Sequence, residues 1–174
     1  LVKYNSSGTK QWTKQLGTTV DDKAYGVTVD SSNNLYVSGF TYGSLDGNTN
    51  IGKRDFFLVK YSSDGTKQWT KQFGTNVDDE GYGVASDSSN NIYVTGFTKG
   101  NYDGNSSSGG DDIVLVKYNS SGTQQWIKQL GTNQSDIAED IAIDSSDNIF
   151  LTGRTNGNLD GNTGLGNWDF ILVK

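Results

Sequence analysis

The 174-residue chain contains no proline, cysteine, methionine or histidine. Without cysteine there are no disulfides and no thiol nucleophile. Without histidine as well, zinc sites of the Cys/His kind and every imidazole-based acid–base arrangement are excluded. Positive charge is scarce: 14 Lys and Arg against 20 Asp and Glu leave a net charge of −6. Nucleic acid and anionic membranes both demand clustered cations, so neither is an expected partner. Long apolar runs are missing too. No stretch approaches the ~20 residues of a membrane-spanning helix, no signal-peptide pattern opens the sequence, and no membrane insertion is expected of this segment.

Apolar residues make up only 32% of the chain. Scattered, they would suit disorder; instead they fall in short alternating runs separated by Gly, Ser, Asn and Asp, the pattern of an all-β protein. The runs recur. Leu1, Leu58 and Leu115 each begin LVKY, followed by SGT or DGT and QW, and Leu172 begins LVK again, a spacing of 57 residues from 1 to 58, 58 to 115 and 115 to 172. The chain divides into repeats 1–57, 58–114 and 115–171, with the start of a fourth at 172–174. The first two agree at roughly two thirds of their positions, as stacked units do.

Each repeat offers four strand candidates: Tyr25 to Val29, Leu35 to Thr41, Asp55 to Tyr61 and Gln11 to Leu16. Four short antiparallel strands per unit make a propeller blade. Phe56-Phe57-Leu58-Val59 is apolar at successive positions, so it is expected to be covered on both faces. The small and β-branched run Tyr25-Gly26-Val27-Thr28-Val29 fits the crowded innermost strand, and the Lys/Gln-rich run around Trp12 fits an outer one. In Asn5-Ser6-Ser7-Gly8-Thr9 the glycine can take the positive φ of a three-residue hairpin, as can Gly65 in Ser63-Asp64-Gly65. The second turn reads as a loop closed by Asp30 opposite Leu35. That register places Tyr25 opposite Phe40, Tyr82 opposite Phe97 and Glu139 opposite Arg154, so two aromatic pairs become one ion pair, which suggests solvent access at this position.

The segments GVTVDSSNNLYVSGFT, GVASDSSNNIYVTGFT and DIAIDSSDNIFLTGRT, together with DFFLVKYSSDGTKQW, resemble the SBBP family of bacterial β-propeller repeats. The resemblance covers every repeat. It implies blades running from the axis outward in the order Tyr25, Leu35, Asp55 and Gln68 segments, with two whole blades, the outer part of one and three strands of another in the chain. It also implies a secreted or surface-exposed bacterial protein. Glu139-Asp140 and Arg154 depart from the pattern, so the third repeat is expected to face something different. Three units fall short of the ~4 to 8 blades of a closed ring, which calls for self-association or for more repeats on the same chain. The duplicated LVK favours a window from a longer array over a ring of two chains.

Several residues are candidate sites. Asp21 and Asp22, Asp78 and Asp79, and Asp136 precede the inner strand and can ring one mouth of a central channel; paired carboxylates perform glycoside hydrolysis. They recur in each repeat, however, whereas an active site gathers unlike residues, so no catalytic residue is assigned. Trp12, Trp69 and Trp126 sit at one offset on the outer strand, where packing between blades outweighs a sugar-platform role. Trp168 stands where the other copies have Arg54 and Asp111 and is the better ligand contact. The triplets at Asp46, Asp103 and Asp160 (DGN) read as turns ahead of calcium loops, each having a single carboxylate unless Asp55, Asp112 or Asp169 folds back. No metal and no cofactor is expected. The Asn-Xaa-Ser triplets at Asn5, Asn105, Asn119 and Asn133 read as turns rather than glycosylation acceptors.

The expected function is a non-catalytic scaffold presenting loops to a protein or polysaccharide partner. The alternatives are a carbohydrate-binding, lectin-like propeller and a fragment of a propeller hydrolase or lyase.

Overall fold

A computed structural model of the chain describes every residue except Asp103, Asn105, Ser106 and Ser108. All of its long elements are strands. In chain order they are β1 (Val2–Tyr4), β2 (Lys10–Thr13), β3 (Asp22–Val29), β4 (Leu35–Thr41), β5 (Asp55–Tyr61), β6 (Lys67–Phe73), β7 (Asp79–Ser86), β8 (Ile92–Thr98), β9 (Asp112–Tyr118), β10 (Gln124–Leu130), β11 (Asp136–Ile143), β12 (Ile149–Thr155) and β13 (Asp169–Val173). They form two four-stranded sheets, β3-β4-β5-β6 and β7-β8-β9-β10, preceded by the pair β1–β2 and followed by the three-stranded sheet β11-β12-β13. All pairings within the sheets are antiparallel and between consecutive strands, the result of tight turns joining alternating runs. The strand order within each sheet is the one the sequence predicts.

The sheets stack through their faces. Tyr36, Phe56 and Leu58 of the first four-stranded sheet meet Val84, Val94 and Val116 of the second in one apolar cluster. Tyr93 and Ile113 meet Ile141 and Leu151 of the third sheet in another. Because side chains alternate across a strand, β5 feeds both of its faces: Phe57 and Val59 turn the other way, toward Leu1 and Leu16. The run Phe56 to Val59 is accordingly at most 5% exposed, covered on both faces as expected.

The strands β3, β7 and β11 lie beside one another at one edge of the stack. A Cβ on Gly26 would stand 2.4 Å from the Tyr82 carbonyl oxygen, and one on Gly83 would stand 2.9 Å from the Asp140 Cα. Glycine here lets neighbouring backbones approach. No ring closes among the described residues.

The turns are of one kind. Asn5 N donates to Thr9 O and Gly8 N to Asn5 O, both at 3.0 Å, with Gly8 at φ 79°. The second turn repeats this: Asp30 N donates to Asn34 O at 3.0 Å, Asn33 N to Asp30 O at 2.9 Å, and Asn33 has φ 62°. The loop is therefore closed by Asp30 and Asn34, with Val29 opposite Leu35, correcting the expected pairing of Asp30 with Leu35. Asparagine occupies the left-handed position that glycine holds in the first turn, so the two loops have the same length, one residue less than the expected closure at Leu35.

Candidate interaction surface

At the end of the sheets where β3 begins and β4 stops, the register shifts. Lys23 pairs with Phe40 and Ala24 with Gly39, then Gly26 with Ser38, leaving Tyr25 as the extra residue of a β-bulge. Glu139 is the corresponding extra residue of β11. Despite the changed register the expected side-chain contacts form: Tyr25 and Phe40 ring centroids lie 5.9 Å apart, Tyr82 and Phe97 6.0 Å, and Arg154 Nη1 is 3.1 Å from Glu139 Oε1. Their exposure meets the expectation in part: Phe40 and Phe97 are buried, at 2% and 6%, whereas Tyr25 is 53% exposed and the Glu139–Arg154 pair about half exposed.

Arg54 ties the first sheet to the second at this rim. Its Nε donates to Asp78 Oδ1 at 3.0 Å, its Nη1 to Glu80 Oε1, and its guanidinium lies 5.6 Å from the Phe40 ring and 5.8 Å from that of Tyr42. Tyr82 completes the group, its hydroxyl donating to Glu80 Oε2 at 3.0 Å. The hydrogen bond from Arg54 holds the Asp78 carboxyl below its ordinary range. Lys99 approaches the same carboxylate at 3.6 Å and Asp111 at 3.8 Å. Of the predicted site residues, Asp78 is thus engaged in a junction between sheets.

The other aspartates are anchors. Asp79 Oδ2 accepts from Thr75 N at 2.6 Å and Thr75 Oγ1 at 2.9 Å, and its Oδ1 accepts from Thr98 Oγ1. The residue is fully buried, and burial, the largest influence, raises its pKa despite those donors. Asp22 and Asp136 repeat the arrangement with Thr18 and Thr41, and with Thr132 and Thr155. Asp21 is exposed and its carbonyl accepts from Tyr42 N. The five aspartates therefore separate into three that pin loops, one held by Arg54, and one facing solvent.

Trp12 and Trp69 of the outer strands reach toward the next sheet. A Cβ on Gly65 would lie 3.1 Å from the Trp12 ring, and one on Gly122 the same distance from that of Trp69. Trp69 also meets Tyr36 at 5.9 Å, and Trp126 meets Tyr93 at 5.8 Å. Trp168 differs: it is 48% exposed, with Arg154 5.1 Å from its ring centroid.

The DGN triplets at Asp46 and Asp160 are left-handed turns in which Asn48 N and Asn162 N donate back to Leu45 O and Leu159 O. The third, at Asp103 and Asn105, lies outside the described residues, as does the Asn105 triplet. Asp55 does not fold toward its DGN loop as a second ligand. Its carboxylate accepts from Ile51 N, Gly52 N and Gln72 Nε2. Asp46 pairs with Lys67. Among the described residues no three Asp or Glu side chains gather as a metal would require.

Sequence reasoning missed the ties at the opposite rim. Ser31 N and Oγ donate to Asn90 Oδ1 at 3.0 and 2.8 Å, and Ser88 N and Oγ donate to Asp147 at 3.0 and 2.7 Å, so each turn tip grips the next. Asp30 clamps its turn through Ser32 N, Asn34 N, Asn34 Nδ2 and the Tyr36 hydroxyl. The signal was the near-invariance of DSSNN among the copies. The Arg54 rim shows the reverse: positions Lys23/Glu80/Ile137, Tyr42/Lys99/Asn156 and Arg54/Asp111/Trp168 differ in all three.

Wedge-like sheets of four antiparallel strands, stacked face to face with their first strands together, are the blades of a β-propeller. The SBBP beta-propeller repeat matches residues 11–46, 68–103 and 125–160, and the chain belongs to this family. It is similar to the "Regulatory protein FlaEY" of Caulobacter vibrioides, with 26% identity over 99% of this chain and 21% of that protein. It is also similar to an "Uncharacterized WD repeat-containing protein L264" of Acanthamoeba polyphaga mimivirus, with 27% identity over 91% of this chain and 14% of the relative. The chain thus spans about a fifth or less of these relatives' lengths.

Proposed function

We propose that the chain is a non-catalytic interaction scaffold whose varied rim is presented to a protein partner. The observation that carries this reading is the division of labour between its ends. One rim is nearly uniform and hydrogen-bonded from blade to blade, while at the other the positions Lys23/Glu80/Ile137, Tyr42/Lys99/Asn156 and Arg54/Asp111/Trp168 change residue type in every copy around repeated aspartate anchors, and Tyr25 and Tyr42 are exposed. Rigid sheets that hold variable aromatic and cationic side chains in fixed positions suit protein recognition, where Tyr, Trp and Arg dominate binding energy. The names of the relatives, regulatory and WD-repeat, describe no enzyme and accord with a role without catalysis. A secreted or surface location in a bacterium is proposed with it, on the family resemblance.

A carbohydrate-binding reading has one observation in its favour, the half-exposed Trp168 ring beside the Arg154–Glu139 pair. The experiment compares the chain with its Tyr25→Ala, Tyr42→Ala and Trp168→Ala variants on a random-peptide display library and on a glycan array. Selected peptides lost on substituting Tyr25 or Tyr42 support the scaffold. Saturable glycan binding lost with Trp168 replaces it with the lectin reading.

A further inference from the structure

Along the inner strands β3, β7 and β11, Tyr25, Gly26, Tyr82, Gly83, Glu139 and Asp140 line an open groove of about 540 Å³. Three successive blades contribute to it. The Tyr25 and Tyr82 rings lie 4.9 Å apart with their planes at 74°, forming an aromatic corner, and Gly26 and Gly83 add only backbone beside it. The corner is held in place: the Tyr25 ring packs 5.9 Å from that of Phe40, and the Tyr82 hydroxyl donates to Glu80 Oε2 at 3.0 Å. The third blade makes the groove acidic. Glu139 and Asp140 are both exposed, and no lining residue is cationic. Arg154 reaches Glu139, whereas Asp140 Oδ1 accepts from Ile141 N at 2.9 Å and has no ion pair among the described residues.

The chain itself shows what such a combination attracts. It has two arginines, and both lie between aromatic rings and carboxylates at this rim. Arg54 binds Asp78 and Glu80, with its guanidinium 5.6 Å from the Phe40 ring and 5.8 Å from that of Tyr42. Arg154 binds Glu139 and lies 5.1 Å from the ring centroid of Trp168. The face of an aromatic ring is negative, so ring and carboxylate attract a cation together, and a planar guanidinium serves both by stacking on one and donating to the other. The groove is a third niche of the same composition, and it faces solvent. We propose that it receives an arginine side chain of a protein partner, with the guanidinium between the tyrosine corner and the Asp140 carboxylate. A lysine ammonium meets the same charge but cannot stack, so it fits less well.

The third blade also sets the orientation. Glu139-Asp140 stands where the other copies have Tyr25-Gly26 and Tyr82-Gly83, so the acidic wall belongs to one blade alone. A partner is thereby met in one orientation, which three identical blades would not impose.

The inference rests on the scaffold reading and deepens it, naming the side chain that the partner must offer. In an NMR titration of the isotope-labelled chain the probe is N-acetyl-arginine amide, with the citrulline amide as its uncharged counterpart and the lysine amide as its unstacked one. Saturable shifts are expected at Tyr25, Tyr82 and Asp140, with affinity about tenfold weaker for citrulline and about threefold weaker for lysine. Asp140→Asn and Tyr25→Leu, both changes at exposed side chains, should each raise the dissociation constant about threefold. Asp140→Gly copies the residue of the other two repeats and should do the same, with circular dichroism confirming that each variant is folded. Absence of saturable shifts, an equal response to citrulline, or a folded Asp140→Asn chain with unchanged affinity would overturn the site. Peptide selection separates this outcome from failure of the scaffold reading: peptides that need Tyr25 but carry no arginine keep the scaffold and discard this ligand.

Discussion

Tyr25 packs its ring 5.9 Å from that of Phe40, although the strand partner of Phe40 is Lys23. The extra residue of the β3 bulge reconciles the two, swinging the Tyr25 side chain back over the face from which a simple register would remove it. The third blade keeps the relation with new chemistry, Glu139 against Arg154.

Restoring the aromatic pair there should therefore restore coupling. Glu139→Tyr and Arg154→Phe are each expected to lower stability, and the double variant to recover it. The interaction free energy should be about 0.5–1.5 kcal/mol, against less than about 1 kcal/mol for the exposed ion pair. Urea unfolding of the four proteins measures it. Additive effects would show that the contact across the bulge carries no energy.

The left-handed Asn33 invites a second comparison. Asn33→Ala should cost about 1–2 kcal/mol because a Cβ without a hydrogen-bonding side chain disfavours φ 62°. Asn33→Gly should be neutral within about 0.5 kcal/mol, and thermal unfolding of both separates backbone strain from lost side-chain contacts.

Trp69 is expected to matter to stability before it matters to binding. Its ring bridges Tyr36 and the Gly122 turn of the next blade, and Trp69→Ala should cost about 3 kcal/mol. The peptide affinity of the remaining folded fraction, measured by calorimetry, should be unchanged; a binding defect without a stability defect would move Trp69 to the recognition surface.

Acid should weaken the fold. Asp30 and Asp87 are pushed upward by burial, but donors from Asn34 and Tyr36, and from Asn91 and Tyr93, outweigh it and hold both carboxyls low. Arg54 does the same for Asp78. A depressed native pKa contributes stability that is present above the unfolded value near 3.9 and is lost as pH falls through the native one. Asp79 acts oppositely, its raised pKa relieving a penalty on protonation. Asp46, Asp64 and Asp144 are lowered as well, so with six lowered carboxyls against one raised the melting temperature should fall below about pH 4. Asp87→Asn should flatten that slope, as thermal scans between pH 7 and pH 3 would register.

The strands, their order and the apolar double-sided β5 were legible because period-two alternation and turn residues are local signals. The fate of the aspartates was not. Nothing adjacent to Asp79 in the sequence announces Thr98 from the next strand over, and a buried anchor looks like a free carboxylate until that strand is placed. The register at Tyr25 failed for two reasons that add, one residue fewer in the Asn33 turn and one extra residue in the bulge, which together move the partner of Phe40 from Tyr25 to Lys23. Within-chain drift at Lys23, Tyr42 and Arg54 was visible from the start, but only the sheets show that these positions share one rim.

The Ser31-to-Asn90 grip, repeated from Ser88 to Asp147, acts as a coupling of constant pitch. Units that keep these residues share one joint at this rim, so duplication of a unit in the gene carries the joint with it, while the far rim, where Arg54 reaches the Asp78 and Glu80 of one neighbour, diverges from copy to copy.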